Sequence, residues 1–412
     1  MNGKATGGER GTKPGRTRLE RGRGALGPAL ELLHTGRAPT RAVLTSRLGV
    51  TRATAGAVAA ELEALGLIRV DARPVAAGAQ GRPSHRLELA DDGPVVLAAQ
   101  VHADGYRAAL VGLGGRIVAT RPGCGTVGAD PADVLGEVVA AGARLLKESG
   151  RRCVGAGLAV PSAVAEPGGE ALNPLHLDWP AGAPVRAEFT RAVRQVGLEI
   201  PVFTANDINL AALAEHRHGA GRGAGNLLCV ATGHRGVGGA LVVDGRLHLG
   251  SSGLALEVGH IIVAPGGRPC HCGSRGCLEA QTDPAAFLEW AGREAGPGVS
   301  PIEEAARLLE QEPEDPAVRA AVEALTSALG KGLAALVNIL NPDRIILGGL
   351  HRTLLAVNGA GLRAAVAEHS LWGVSGSVPL EACTLAHNSL VGAAELAWQP
   401  VLDDPLGALA GE

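Results

Sequence analysis

His260, Cys270, Cys272 and Cys277 stand in the pattern H-x9-C-x-C-x4-C. Pro269, Gly273 and Gly276 put turns around and between the cysteines. Three thiolates and one imidazole in a short loop, 260–277, suit a closed tetrahedral Zn²⁺ site. Three of the seven cysteines fall inside eight residues, which argues against unrelated buried thiols. His271 is an alternative imidazole donor. Cys124, Cys153, Cys229 and Cys383 are scattered and read as core residues.

Elements of ordinary size must position that loop. The chain has 412 residues, enough for two or three domains. Hydrophobic residues make up 46%, so a core forms and wholesale disorder is excluded. Aromatics are only 2%, so Ala, Val and Leu must fill that core. The 61 Gly and 25 Pro follow no period, which excludes collagen. No run of 18 apolar residues occurs, so no membrane span is expected. The first residues lack an apolar stretch, so no secretory signal is expected. Seven cysteines without an even framework point to a reducing cytoplasm.

The net charge of −3 conceals a polarity. Residues 1–90 hold 15 Lys and Arg against 7 acids, whereas the rest holds 23 against 34. A basic block joined to an acidic body suggests a nucleic-acid reader fused to something else. Residues 1–23 carry seven basic residues and two acids without periodicity, and read as a disordered basic tail.

Residues 24–90 read as a winged helix-turn-helix. A first helix over 25–35 places Leu26, Leu32 and Leu33 on one side. A second follows Thr40 over 40–48, with Val43, Leu44 and Leu48 apolar. Gly49-Val50 makes the turn. Thr51 caps a third helix that Gly66 stops. Val58, Leu62 and Leu65 face inward at helical spacing. Thr51, Arg52 and Thr54 are left for base edges in a major groove. Leu67–Val70 and 81–89 then make a β-hairpin, with Arg82 at a wing tip able to enter a minor groove. A plain protein-interaction bundle is the competing reading of three helices, and Gly56 inside the third helix costs about 1 kcal/mol of propensity.

The body, 91–412, repeats a pattern. Strands over 95–101, 107–112 and 115–119 precede an amphipathic helix over 131–149, built on Val134, Leu135, Val138, Val139 and Leu145. A strand at 154–160 follows. After residue 205 come strands 227–232, 239–243 and 246–249, helices at about 283–294, 301–310 and 316–340, and a strand at 345–347. A duplicated mixed α/β unit suggests two lobes around a cleft.

The run Glu257-Val258-Gly259-His260 with Cys270-His271-Cys272-Gly273-x-x-Gly276-Cys277-Leu278-Glu279 resembles the ROK family (repressors, open reading frames and sugar kinases). Asn206-Asp207 resembles its sugar-site pair. Asp244-Gly245-Arg246-Leu247 and Gly250-Ser251-Ser252-Gly253 resemble its second-lobe hairpin. Asn341-Pro342-Asp343 through Gly348-Gly349 resembles the turn before its adenosine-side glycines, and Leu390–Ala394 its final helix. Gly81-Arg82-Pro83 resembles the wing of its repressor branch. The resemblance implies an α/β, two-lobed, actin-like (ribonuclease H-like) sugar-binding body. It also implies that Asn206, Asp207, Glu257, His260 and Glu279 meet a sugar, with Asp207 the base in a kinase. His260 would bind zinc through one ring nitrogen and offer the other to a ligand. The alternative for Asn206 and Asp207 is simple helix capping.

The family's kinases begin with an Asp-x-Gly-x-Thr-Lys turn that cradles phosphate. Here Gln100-Val101-His102-Ala103-Asp104-Gly105 lacks its Asp, Gly pair and Thr. The second phosphate turn, Thr232–Gly239, carries His234-Arg235, and the family's Pro-Gly is Pro161-Ser162. Lost phosphate chemistry beside a retained sugar pocket implies a non-enzymatic regulator. The expectation is a cytoplasmic repressor, a homodimer or dimer of dimers. It would be released from double-stranded operator DNA by a sugar or sugar-phosphate effector. The alternative is an ATP-dependent hexose kinase with an added DNA-binding domain.

Overall fold

The protein is described by a computed structural model that covers residues 24–71, 84–233, 236–296, 298–371 and 378–409. The basic segment 1–23, the wing residues Gly81, Arg82 and Pro83, and His234-Arg235 lie outside the described residues. Two compact units form. One comprises Met1–Ala90 with Pro400–Glu412, and the other Asp91–Gln399.

The N-terminal unit has helices α1 (Leu26–His34), α2 (Arg41–Leu48) and α3 (Arg52–Ala64), then strands β1 (Ile68–Asp71) and β2 (Arg86–Leu89). Three helices closed by an antiparallel β-pair are the arrangement of a winged helix-turn-helix. The Thr40 hydroxyl accepts the Val43 N–H at 3.3 Å, and Gly49 ends α2 at φ 62°. The Thr51 hydroxyl accepts the Thr54 N–H at 3.2 Å, and Gly66 follows α3 at φ 69°. Two inward faces differ from expectation. Leu30, not Leu32, joins Leu26 and Leu33 in the core, since 3.6-residue spacing carries the buried stripe through Leu26, Ala29, Leu30 and Leu33. Leu65 is half-buried, and Leu67 and Ile68 fill the space beneath α3.

The second unit holds two lobes of like topology. The first contains β3 (Val95–His102), β4 (Gly105–Val111), β5 (Ile117–Gly123), α4 (Pro131–Ser149), β6 (Cys153–Val160), α5 (Val185–Gln195), β7 (Val202–Asn206) and α6 (Asp207–His218). Its sheet order is β5-β4-β3-β6-β7. The second contains β8 (Asn226–Thr232), β9 (Val237–Val243), β10 (Arg246–Leu247), α7 (Leu278–Thr282), α8 (Pro284–Trp290), α9 (Pro301–Gln311), α10 (Pro316–Leu340), β11 (Arg344–Gly348), α11 (Leu350–His369), β12 (Leu380–Ala382) and the part up to Gln399 of α12 (Asn388–Asp403). Its sheet order is β10-β9-β8-β11-β12. In each lobe three antiparallel strands continue into two parallel ones, the duplicated unit that the sequence implies. A last short helix, α13, spans Pro405–Leu409.

Local chemistry explains several boundaries. Asp130 caps α4 through Ala132 N–H at 2.8 Å, and Val134, Leu135, Val138, Val139 and Leu145 are buried. Asp244-Gly245, both at positive φ, form the two-residue turn between β9 and β10. α8 stops at Trp290, short of the expected 294, because Gly292 turns left-handed at φ 60°. α10 is long and apolar enough to cross a membrane by length and composition, but 61% of its most apolar window is buried within the protein.

The chain's end departs from the expected division. Residues 400–412 group with the N-terminal unit, not with the body. Within that unit a Cβ on Gly27 would lie 2.6 Å from the Leu402 carbonyl oxygen, so α1 meets the last helical turns backbone to side. That pairing joins the two ends of the chain and has no local signature.

Candidate functional site

The two lobes enclose a cleft of about 700 Å³. Asn206, Asp207, Glu257, His260 and Glu279 all line it. Asn206 closes β7 and caps α6, its Oδ1 accepting from Ile208 N–H at 3.0 Å and Asn209 N–H at 3.3 Å. Capping is therefore real, yet it occupies only the amide oxygen. Asp207, the next residue, is half-buried, and burial pushes its carboxyl up to about 6, against the opposing pull of the Ile208 backbone N–H. A carboxyl that ionises near neutrality is suited to exchange a proton with a hydroxyl.

Glu279 ties two loops together. Its Oε2 accepts the Val237 N–H at 3.1 Å, and its Oε1 meets His271 Nδ1 at 2.8 Å. Gly236, at φ 81°, leaves room for it, since a Cβ there would lie 2.5 Å from Oε2. Burial holds the Glu257 carboxyl above the usual range; His260 pulls it down and the Glu279 carboxylate adds to the rise.

Behind these residues sits the cysteine loop. The donor atoms of His260, Cys270, Cys272 and Cys277 all lie within 4.8 Å of one another, so the cluster could hold a metal ion. His260 Nδ1 is 3.7 Å from Cys270 Sγ, and Cys272 Sγ is 3.6 Å from Cys277 Sγ. Bonds of about 2.3 Å to a tetrahedral centre put thiolate ligands about 3.8 Å apart, so these separations suit one ion. Cys270, His271 and Glu279 form a second triplet, but there His271 Nδ1 is engaged by the carboxylate. Without metal, burial pushes the Cys270 thiol up to about 12 and raises Cys277, while the Ser274 backbone N–H lowers Cys272.

In the β3–β4 register Gln100 stands directly opposite Arg107, and His102 opposite Gly105. Gln100, His102 and Arg107 line the cleft. Thr232 braces the Gly348-Gly349 turn: its hydroxyl accepts the Leu350 N–H at 2.7 Å, and a Cβ on Gly349 would lie 2.2 Å from its carbonyl oxygen.

The 300-residue stretch 100–399 matches the ROK family. This chain belongs to the ROK family. Curated relatives include a glucokinase of Halalkalibacterium halodurans, 32% identical over 212 residues, 48% of this chain and 61% of that protein. The Escherichia coli DNA-binding transcriptional dual regulator NagC is 28% identical over 211 residues, 50% of this chain and 52% of that protein. These matches thus span only about half to three fifths of the relatives' own lengths. Among solved structures, a ROK family transcriptional regulator described as a homologue of E. coli Mlc has the same fold, with a TM-score of 0.74 at 23% identity, covering 96% of this chain and 100% of its own. A ROK family glucokinase from Streptomyces griseus, in complex with glucose and AMPPNP, gives a TM-score of 0.62 at 26% identity, over 74% of this chain and 99% of that one.

The cleft gathers residues that the sequence did not single out as ligands: Ser162, Asn173 and His176 from the segment after β6, and Arg107, Arg352 and His387. Asn173 lies in a loop and His176 in a single 3-10 turn, Leu175–Leu177, too short for periodicity, so only Pro161-Ser162 marked the region. Thr51, Arg52 and Thr54 lie together in the N-terminal unit, at the first turn of α3. The Thr51 and Thr54 hydroxyls are 2.9 Å apart and serve the cap, whereas Arg52 is exposed.

Proposed function

We propose that this protein is a sugar-responsive, DNA-binding transcriptional regulator, acting as a repressor. The observation that carries the reading is the winged-helix unit joined to a ROK body whose phosphate turn has Gln100 and His102 where the family's kinases carry Asp and Gly. The end-to-end overlap with a ROK regulator fold supports it, while the kinase folds cover about three quarters of the chain.

In this reading a sugar is held by Asn206, Asp207, Glu257, His260 and Glu279, through paired donors and acceptors. Zn²⁺ occupies the cluster of His260, Cys270, Cys272 and Cys277 as a structural ion. The donor set of three sulfurs and one imidazole, and their mutual distances, fit that ion. His260 meets the cluster through Nδ1, which leaves Nε2 for a sugar hydroxyl. The Glu279 bridge to Val237 then couples ligand, metal loop and second-lobe sheet.

A homodimer, or a dimer of dimers, presents Arg52 and the start of α3 to a major groove and Arg82 to a minor groove, in a reducing cytoplasm. The sugar shifts DNA affinity only if it binds the DNA-competent and incompetent states unequally. Fluorescence anisotropy on an operator fragment, with and without a bound sugar, tests this. An unchanged DNA Kd at saturating sugar would remove the link.

The second reading, a hexose kinase, draws on Asp207, whose carboxyl ionises near pH 6, and on the 32% identity to a glucokinase. ADP release with a hexose panel decides it. Turnover that disappears in Asp207→Asn would replace the regulator with an enzyme.

A further inference from the structure

We propose that His271 is a further specificity-determining residue of the cleft, its Nε2 accepting the proton of a sugar hydroxyl next to the one that His260 meets. This deepens the sugar-binding reading and rests on it.

The loop that presents His271 is fixed on both sides. Cys270 and Cys272, its chain neighbours, belong to the donor cluster. The Cys270 N–H donates to the Ser274 carbonyl oxygen at 2.9 Å, and the Gly273 N–H to the Cys270 carbonyl oxygen at 3.0 Å. Gly273 makes that tight turn possible at φ 88°, and Pro269 pairs with Arg275 across the loop. A side chain rooted there has little backbone freedom, which suits recognition.

The ring is also aimed. His271 Nδ1 is 2.8 Å from Glu279 Oε1, while Glu279 Oε2 accepts the Val237 N–H at 3.1 Å. The carboxylate thus ties the imidazole to the start of β9. Both residues line the cleft, and His271 is the more accessible, its side chain 39% exposed against 11% for Glu279. Each carboxylate oxygen keeps a second lone pair, so Glu279 can hold His271 and still meet a sugar hydroxyl.

That bond sets the polarity of the ring. A carboxylate only accepts, so Nδ1 is the donor, and Nε2 of the neutral imidazole is a bare acceptor. His260 has the opposite polarity. It meets the cysteine cluster through Nδ1, and an imidazole that gives Nδ1 to a metal carries its proton on Nε2. The two rings stand edge to face, with centroids 5.3 Å apart and planes at 76°. A donor and an acceptor therefore sit side by side on one wall. They match hydroxyls on neighbouring carbons of one sugar, the first accepting from His260 and the second donating to His271. Fluorine cannot donate, so it fails at the second position and is tolerated at the first.

The test uses the full chain in calorimetric titrations with glucose, mannose, galactose and N-acetylglucosamine. Monodeoxy and monodeoxyfluoro forms of whichever sugar binds are titrated next. The expected result is one ring position at which both replacements weaken wild-type binding at least tenfold. In His271→Ala the parent sugar and those two analogues should bind within about twofold of each other. His271→Gln, whose amide can donate to Glu279 and accept from a hydroxyl, should restore part of the discrimination. A purely structural role would weaken every analogue alike and leave the ratio unchanged. Should His271→Ala fold poorly, His271→Phe keeps the ring volume and carries the same expectation. A wild-type series with no position that rejects fluorine overturns the proposal, as does a ratio that survives in His271→Ala or His271→Phe. Both results leave the sugar reading standing. Absence of binding by all four sugars overturns the sugar reading and the proposal together.

Discussion

His260 Nδ1 lies 3.7 Å from Cys270 Sγ while His260 also lines the ligand cleft, so one imidazole joins the cysteine loop to the pocket. A metal held by the cluster and a ligand held in the cleft would be linked through a single ring. Exposed Cys272 offers a substitution that leaves the core alone. Cys272→Ser is expected to lower zinc from about one per chain towards zero by elemental analysis. Sugar affinity should weaken by about 10–100-fold in the same variant, the usual cost of disturbing groups that orient a site.

Asp207 should oppose stability where it is charged. Its folded-state value, about 6, lies above the ordinary 3.8, so between about pH 4 and pH 6 the folded protein holds the extra proton. Stability from this group is therefore present below pH 4 and lost as pH rises through 6. Asp207→Asn should stabilise the protein by about 2 kcal/mol at pH 8 and not at pH 3.5, while weakening sugar binding. Thermal melting at the two pH values checks the sign.

His351 has the opposite sense. It is fully buried, its Nε2 lies 3.2 Å from the Thr282 carbonyl oxygen, and burial pushes it down to about 4. The unfolded chain takes up its proton near 6.5, so stability falls as pH drops from about 6.5 to 4. His351→Gln should flatten that limb of the pH–stability curve measured by urea unfolding.

At the DNA end, Thr51 and Arg52 should separate. Thr51→Ala removes the cap on α3 and should cost about 1 kcal/mol of stability, read by calorimetry. Arg52→Ala should leave stability within about 0.5 kcal/mol but reduce operator affinity. If Arg52 meets phosphate, the salt slope drops by about one; if it meets a base, specificity relaxes instead.

Gly392 tests the packing beneath the cleft. A Cβ there would lie 1.9 Å from the Leu210 carbonyl oxygen of α6, and one on Gly157 would lie 2.0 Å from the Ala393 carbonyl oxygen. Backbone atoms cannot rotate aside. Gly392→Ala should destabilise the body by about 1–3 kcal/mol, moving α6 and with it Asn206 and Asp207, so melting temperature and ligand affinity should fall together.

The sequence by itself determined what is local. Thr40, Thr51 and Asp130 cap the helices they precede, because a side-chain oxygen reaches N–H groups two or three residues on. The cysteine spacing brings four donors together, because a short loop with turns leaves them little room to part. Strand and helix order followed from periodicity, and the duplicated lobes from that order. Tertiary structure alone decided the rest. Asn206-Asp207 and Glu257–Glu279 line one cleft between the two lobes, a relation between positions about 50 or more residues apart. Arg107 stands opposite Gln100 because the β3–β4 register sets it there. Pro400–Glu412 joins the N-terminal unit through a close approach of backbone at Gly27. Long-range packing writes no period into the chain, so only the fold reveals which side chains share a cavity.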